Sequence, residues 1–330
     1  MPPLTPALAI LITWIPPSSD AVRASAEKAM PLLVKAASTH SEKKTCFGCH
    51  NQAFPAIAFS VARSRGYTVK ADLYREQSEH IHDFLSRNKA DFQSGKGTGG
   101  QVDTAGWAVH TLAILDAKPD AVTEAVAEYL LKKDADRGFY RVSSTRPPSE
   151  ASSFGTGYLA VRGLQTWATE DQRERAKKRI TATREWAEKT PAQDTEDRVF
   201  RLRLLKACGA SETAIRDATK ELAESQRFDG GWGQLTTMPS DPYATATALT
   251  ALHEAGGLAT DHPAYRRGLG FLIRTQLPDG SWMLKSRSKP FQPYYEGGFP
   301  HEKNQFISSS ASGWAAAALW FASPPRENKD

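Results

Sequence analysis

Only three cysteines, Cys46, Cys49 and Cys208, occur in 330 residues, which excludes a disulfide-stapled fold. Blocks of basic residues are missing as well. The 42 Lys and Arg against 37 Asp and Glu are spread along the chain, which excludes an electrostatic groove for nucleic acid. Alternating apolar–polar runs are nearly absent, which excludes a sheet-based architecture. The apolar run Leu4–Ile15 falls short of the ~20 residues that an ordinary membrane-crossing helix needs.

That run does have the length of an export leader, although no Lys or Arg precedes it. Pro16, Pro17, Ser18 and Ser19 break it, and Ala24-Ser25-Ala26 supplies an A-x-A cleavage pattern. The expected organisation is therefore a signal peptide or apolar leader over 1–26, one domain over 27–325 and a polar tail over 326–330, in an exported, periplasmic-type protein with no membrane span once the leader is removed.

Two of the cysteines stand in Cys46-Phe47-Gly48-Cys49-His50, a C-x-x-C-H string. Two thiols so spaced can each add to a porphyrin vinyl group, and the histidine that follows can ligate the iron. The motif predicts one covalent haem c, attached through Cys46 and Cys49 with His50 as proximal ligand. His301 is the first choice for a distal ligand and Met283 the second, ahead of Met238 and His110. Zinc is an alternative occupant if His40 or His301 completes a set of four ligands, and a simple disulfide is a third reading. Cys208 ends an apolar helical stretch and reads as a buried thiol.

Beyond the leader the chain reads as paired helices. First helices are expected near 21–39, 73–88, 120–132, 171–189, 211–226 and 261–276. Their partners are expected near 52–65, 104–117, 155–168, 195–208, 243–256 and 308–322. The partner helices carry small residues one turn from a leucine, as in Ala108/Leu112, Ala160/Leu164, Ala248/Leu252 and Ala315/Leu319, so that both lie on one face. Long connectors over 89–103, 141–153, 231–242 and 283–307 each join a first helix to its partner and so gather at one end. The aromatic-rich stretch Tyr294–Phe306, with His301, lies in the last of them.

A marker Gln-x-x-x-Gly-x-Trp occurs as Gln226…Gly230-Gly-Trp232 and again as Gln276…Gly280-Ser-Trp282, with a degenerate copy at Tyr129-Leu130, Asp134, Gly138 and Tyr140. With Arg267-Gly268 and Phe271-Leu272 ahead of it, the second copy resembles the QW motif of the squalene–hopene cyclase and protein prenyltransferase superfamily. The resemblance implies an all-α (α/α)6 toroid of six helical hairpins, with inner and outer rings about a central cavity. It gives Gln226, Trp232, Gln276 and Trp282 a structural role, in which the Gln caps a helix end and packs on the Trp.

Asp194-Thr195-Glu196-Asp197 resembles, with one change, the D-x-D-D acid motif of class II terpene cyclases, Glu196 standing for the central Asp. The same four residues also read as a helix start, Asp194 or Thr195 capping and Glu196 and Asp197 favoured by the dipole. The D-D-x-x-D of class I prenyl chemistry is absent, and no zinc triad of the prenyltransferases can be matched. Trp107, Tyr158, Trp314 and Trp320 fall on inner helices, where they serve core packing or line a cavity.

The primary expectation is an exported c-type haem protein on a cyclase-like toroid, acting in electron transfer or haem-dependent redox chemistry with a redox partner protein. The alternatives are a non-haem toroid that binds an apolar small molecule or a protein partner, and a terpenoid cyclase using Glu196.

Overall fold

A computed structural model describes residues 16–289 and 293–325. The apolar run Leu4–Ile15 and the tail over 326–330 lie outside the described residues. Among the described residues thirteen α-helices follow one another: α1 (Ser19–Lys43), α2 (Phe54–Ser64), α3 (Ala71–Arg87), α4 (Lys89–Ser94), α5 (Gln101–Ile114), α6 (Ala121–Lys132), α7 (Ser153–Trp167), α8 (Arg173–Lys189), α9 (Thr195–Ala207), α10 (Glu212–Glu224), α11 (Pro242–Glu254), α12 (Pro263–Thr275) and α13 (Gln305–Ala322). Among the described residues there is no β-strand, only the isolated bridges Arg146–Glu150 and Trp232–Asp241.

The outer helices α1, α3, α6, α8, α10 and α12 alternate with the inner helices α2, α5, α7, α9, α11 and α13. Each inner helix packs on the next, and α13 packs on α2, which closes the ring. This is the α/α toroid that the resemblance implies, built from the expected hairpins. The two rings differ in composition for a physical reason. In α10 the buried residues are Ala218 and Leu222, one stripe on an otherwise wet helix. In α11 every residue from Pro242 to Leu252 is buried, so small Ala and Thr side chains replace long ones. Gly313 shows how tight the ring is: a Cβ there would stand 2.7 Å from the Phe54 carbonyl oxygen.

Local signals start the helices. Ser18, Asp120, Ser152, Asp194, Ser211 and Asp241 each accept a backbone N–H of the first turn. Two elements were not expected. The short α4 lies in the first long connector, pinned by Phe92, whose ring meets Tyr129 at 5.6 Å. A π-turn over Cys49–Ala53 precedes α2. The A-x-A pattern Ala24-Ser25-Ala26 lies inside α1, with Ala26 fully buried and Ser25 Oγ donating to Gln276 Oε1 at 2.8 Å. No helix among the described residues is long and apolar enough to cross a membrane.

The three marker aromatics share one geometry. The indole N–H of Trp232 donates to the Leu222 carbonyl and that of Trp282 to the Leu272 carbonyl, while the Tyr140 hydroxyl donates to the Leu130 carbonyl. Each ring thereby ties the loop after an outer helix to a carbonyl in that helix's last turns. Gln226 Nε2 donates to the carbonyls of Gly230 and Ala264, and Gln276 Nε2 to those of Gly280 and Ser25. The glutamines thus close their own loop and fasten it to the next hairpin; for Gln276 that is α1, across the ring closure.

Candidate functional site

The first turns of the inner helices meet at the end where the long connectors gather. Asp194 caps α9 by accepting the Asp197 N–H at 2.9 Å. Thr195 Oγ1 donates to the Gly233 carbonyl at 2.6 Å, which fixes the start of α9 against the 231–242 connector. Asp197 accepts Ser152 Oγ and the Gln193 N–H. Glu196 differs from its neighbours. Its side chain is buried in the ring interior, where the Tyr243 hydroxyl donates to Oε1 at 3.0 Å. Burial holds its carboxyl well above the ordinary carboxylate range, and the neighbouring Asp194 and Asp197 add to the effect against the opposing Tyr243 bond. The capping reading therefore accounts for Asp194 and Asp197 and leaves Glu196 unexplained, since a first-turn acid placed for the dipole belongs in solvent.

Two small cavities flank Glu196. One, at the mouth, encloses about 270 Å³ of empty space that includes open solvent, and Pro147, Pro148, Asp194, Gln234, Tyr243 and Arg287 are among its walls. The other holds about 210 Å³ on the same measure, between Asp103, Trp107, Glu150, Thr156 and Phe200. Beyond them the ring centre is filled by aromatics. Phe54 meets Trp107 at 4.9 Å and Trp314 at 5.8 Å, and Trp107 meets Phe200 at 6.5 Å. His110, on α5, packs its ring beside those of Trp107 and Tyr158, and burial depresses its pKa to about 3, so it is neutral there. Trp320 lies apart from this group, its indole N–H on Met30 Sδ and its ring beside Tyr67.

The C-x-x-C-H segment enters this interior from one side. Cys46 is exposed, whereas Cys49 is buried with its thiol beside Glu150; burial and that carboxylate push the thiol pKa well up. His50 Nε2 is 3.2 Å from Ser149 Oγ, its ring packs edge-on to Phe54, and burial lowers its pKa. The loop is held from behind by His40, whose Nε2 meets the Cys46 carbonyl and whose Nδ1 meets the Tyr295 hydroxyl. A Cβ on Gly48 would lie 2.5 Å from that imidazole, so only glycine fits. Iodoacetamide at neutral pH should accordingly alkylate Cys46 in the native protein and spare Cys49 and Cys208, the latter a buried thiol pushed up to about 12. Peptide mass mapping before and after denaturation checks this.

The expected partners of the motif lie elsewhere. His301 Nε2 is 2.8 Å from Ser281 Oγ, and Met283 is a surface residue at 46 % exposure. Met238 sits in the 231–242 connector, where its carbonyl lies near Gly233. For zinc, both nitrogens of His40 are already engaged, and among the described residues no group of three or more His, Cys, Asp and Glu side chains is arranged to hold a metal ion.

Sequence reasoning passed over Tyr243, Asp103, Glu150 and Arg287. A signal was present for the first two. Asp103, Glu196 and Tyr243 all fall in the first turn of an inner helix, and in a closed hairpin ring those turns face one mouth. Glu150 and Arg287 lie in connectors without periodicity and offered none.

No family model matches the chain. A stretch of 84 residues, 25% of this chain, is 45% identical to drimenyl diphosphate synthase of Streptantibioticus cattleyicolor, of which it covers 14%. Over 97 residues the chain is 39% identical to squalene–hopene cyclase of Bradyrhizobium diazoefficiens, covering 26% of this chain and 13% of that one. The matched stretches thus span about one seventh of these curated relatives. In three dimensions 94% of the chain superposes on all of the type II terpene cyclase MstE from Scytonema, with a TM-score of 0.60 at 16% identity. These findings correct the haem-redox expectation: the relatives are terpenoid cyclases, and Cys49 and His50 turn inward onto Glu150 and Ser149, beside the buried acids. Over about a quarter of its length the chain is thus similar in sequence to drimenyl diphosphate synthase and squalene–hopene cyclase, and its fold is the helical toroid seen in MstE.

Proposed function

We propose that this protein is an acid-initiated isoprenoid cyclase with Glu196 as the proton donor. The observation that carries the reading is a carboxylic acid buried beside aromatic rings, where desolvation favours its protonated form. The Tyr243 hydroxyl occupies Oε1, which leaves the other oxygen to carry the proton. Transfer of that proton to an alkene breaks the O–H bond and forms a C–H bond with the π electrons, leaving a carbocation on the substrate. The Tyr243 hydrogen bond then stabilises the carboxylate. A neighbouring double bond of the substrate captures the cation, and the faces of Trp107 and Phe200 stabilise positive charge while offering no nucleophile. Loss of a proton from the product cation to water at the solvent-open mouth gives a neutral product, and the Glu196 carboxylate takes a proton back from the same water.

The aromatic rings of Trp107 and Phe200 in the cavity wall support an isoprenoid substrate, and the cyclase relatives support the reaction class. Each cavity as it stands has room for little more than a water molecule, so a prenyl chain enters by displacement of the connector that carries Pro147 and Pro148. The filled centre favours one second reading, a toroid that binds an apolar ligand without turnover.

The test is incubation of the full chain with farnesol, farnesyl diphosphate and squalene, with products resolved by gas chromatography and mass spectrometry. Cyclic isomers or hydrates are expected; none from any of the three would overturn the reading. The pH dependence follows from the acid. Donation requires the protonated form, so activity should persist above the range in which an ordinary glutamate ionises and fall as pH rises through the raised pKa. A pH–rate profile that falls with a midpoint near 4.5 would contradict Glu196 as the donor.

A further inference from the structure

The inner cavity contains more acid than a proton donor requires. Asp103, on the first turn of α5, is 3 % exposed, and its Oδ1 accepts the Thr156 hydroxyl at 2.7 Å. Its Oδ2 is buried and has no hydrogen-bond partner. Glu150, also 3 % exposed, pairs through Oε2 with Arg146 at 3.0 Å and has the Cys49 thiol beside it, while its Oε1 accepts no N–H or O–H hydrogen bond. Both residues line the cavity that Glu196 shares, whose wall also carries Trp107, Leu159 and Phe200 and the side chains of Ser149 and Ser152. Buried acceptors left without donors are rare because each forfeits its hydration on folding. Two of them facing one cavity call for a ligand that brings a donor.

We infer that this cavity is a subsite for a hydroxyl group on an otherwise apolar ligand, held by Asp103 Oδ2 and Glu150 Oε1. The apolar body lies against Trp107 and Phe200. A hydroxyl fits better than an ammonium group, because Glu150 is already neutralised by Arg146 and a second buried cation would have to shed a larger hydration shell. Burial also raises the Asp103 carboxyl to about 7, which suits an uncharged partner. A hydroxyl can in addition accept a proton from Asp103 when that carboxyl is neutral, so the contact survives on either side of its titration. The assignment deepens the isoprenoid reading and rests on it for the identity of the apolar body; the recognition of the hydroxyl rests on the two orphaned oxygens alone.

The experiment is a binding comparison on the full chain. Farnesol, farnesyl methyl ether and farnesylamine are titrated while tryptophan fluorescence is followed, since Trp107 lines the cavity. Farnesol is expected to bind about 10-fold more tightly than the ether, the scale of one hydrogen bond to a charged acceptor. Asp103→Leu should remove that preference and leave affinity for the ether within about 2-fold. Asp103→Asn, close to the native shape, should also narrow the gap, because its amide N–H can donate to the ether oxygen; it keeps the test open if the leucine variant does not fold. Equal affinities for alcohol and ether in the wild type, a preference unchanged in both variants, or no binding of either would overturn the subsite. Tighter binding of farnesylamine than farnesol would replace the hydroxyl by a cation. Preference for farnesol without any cyclic product would leave the subsite standing and remove the cyclase reading, so the two fail separately.

Discussion

Glu196→Gln lowers turnover of a cyclisable isoprenoid by about 10²- to 10⁴-fold, the usual weight of a positioned general acid. The substitution is nearly isosteric, and the glutamine carbonyl can still accept the Tyr243 hydroxyl that now meets Oε1 at 3.0 Å. Loss of activity therefore reports the proton and not the shape. The same variant has a second, opposite readout. In the wild type the folded carboxyl keeps its proton above the value at which the unfolded one releases it. Between those two values the native state binds more protons than the unfolded state, so native stability falls as pH rises. Glutamine has no charge to bury. At pH 8 the variant should melt at a higher temperature than wild type, and near pH 4 the difference should vanish. Calorimetry at the two pH values, beside product analysis, checks both halves. Reduced activity together with reduced stability at pH 8 would mean that Glu196 is a packing residue. Tyr243→Phe should give a smaller loss, about 10- to 100-fold, because it removes one hydrogen bond to the conjugate base and leaves the donor in place.

Trp282→Ala should destabilise the fold by about 3–5 kcal/mol, which is a large fraction of the ~5–15 kcal/mol that holds a typical domain together. Trp282 is fully buried, its indole N–H donates to the Leu272 carbonyl at 2.8 Å, and its own N–H donates to Ser312 Oγ at 3.0 Å. The residue thereby joins the outer helix α12 to the inner helix α13, and its neighbour in the marker, Gln276, reaches Ser25 on α1. Truncation opens a cavity at the ring closure and orphans a helix-end carbonyl. Urea unfolding followed by circular dichroism should show a lower midpoint with an unchanged slope if the ring still unfolds as a unit. Trp282→Phe, which keeps most of the apolar surface, should cost only about 1–2 kcal/mol, the share of the lost indole donor. Equal losses in the two variants would assign the role to the hydrogen bond and not to packing.

The hairpin order was legible because it rests on short-range physics. Amphipathic outer helices such as α10 repeat a stripe at the helical period, whereas inner helices such as α11 are small and apolar on every side. The marker residues were legible for the same reason: Trp232, Trp282 and Tyr140 each bond a carbonyl ten positions earlier, so their spacing is the geometry. The redox function expected from the C-x-x-C-H string is overturned by the cyclase relatives, and where its side chains point is a matter the string does not encode. A π-turn directs Cys49 and His50 into the ring and leaves Cys46 outside, and no spacing rule specifies that turn.

For the acids, the four residues from Asp194 to Asp197 set a helix start, and the sequence by itself determines that much, since capping needs only a short side chain next to its own backbone. Only the tertiary structure decides that Glu196 faces Tyr243 on α11, and that Asp103 and Glu150 reach the same cavity from another helix and a connector. Desolvation is a property of everything that surrounds a group. Closure of the ring supplies those surroundings, and it is written in the packing of distant helices and not in any local pattern.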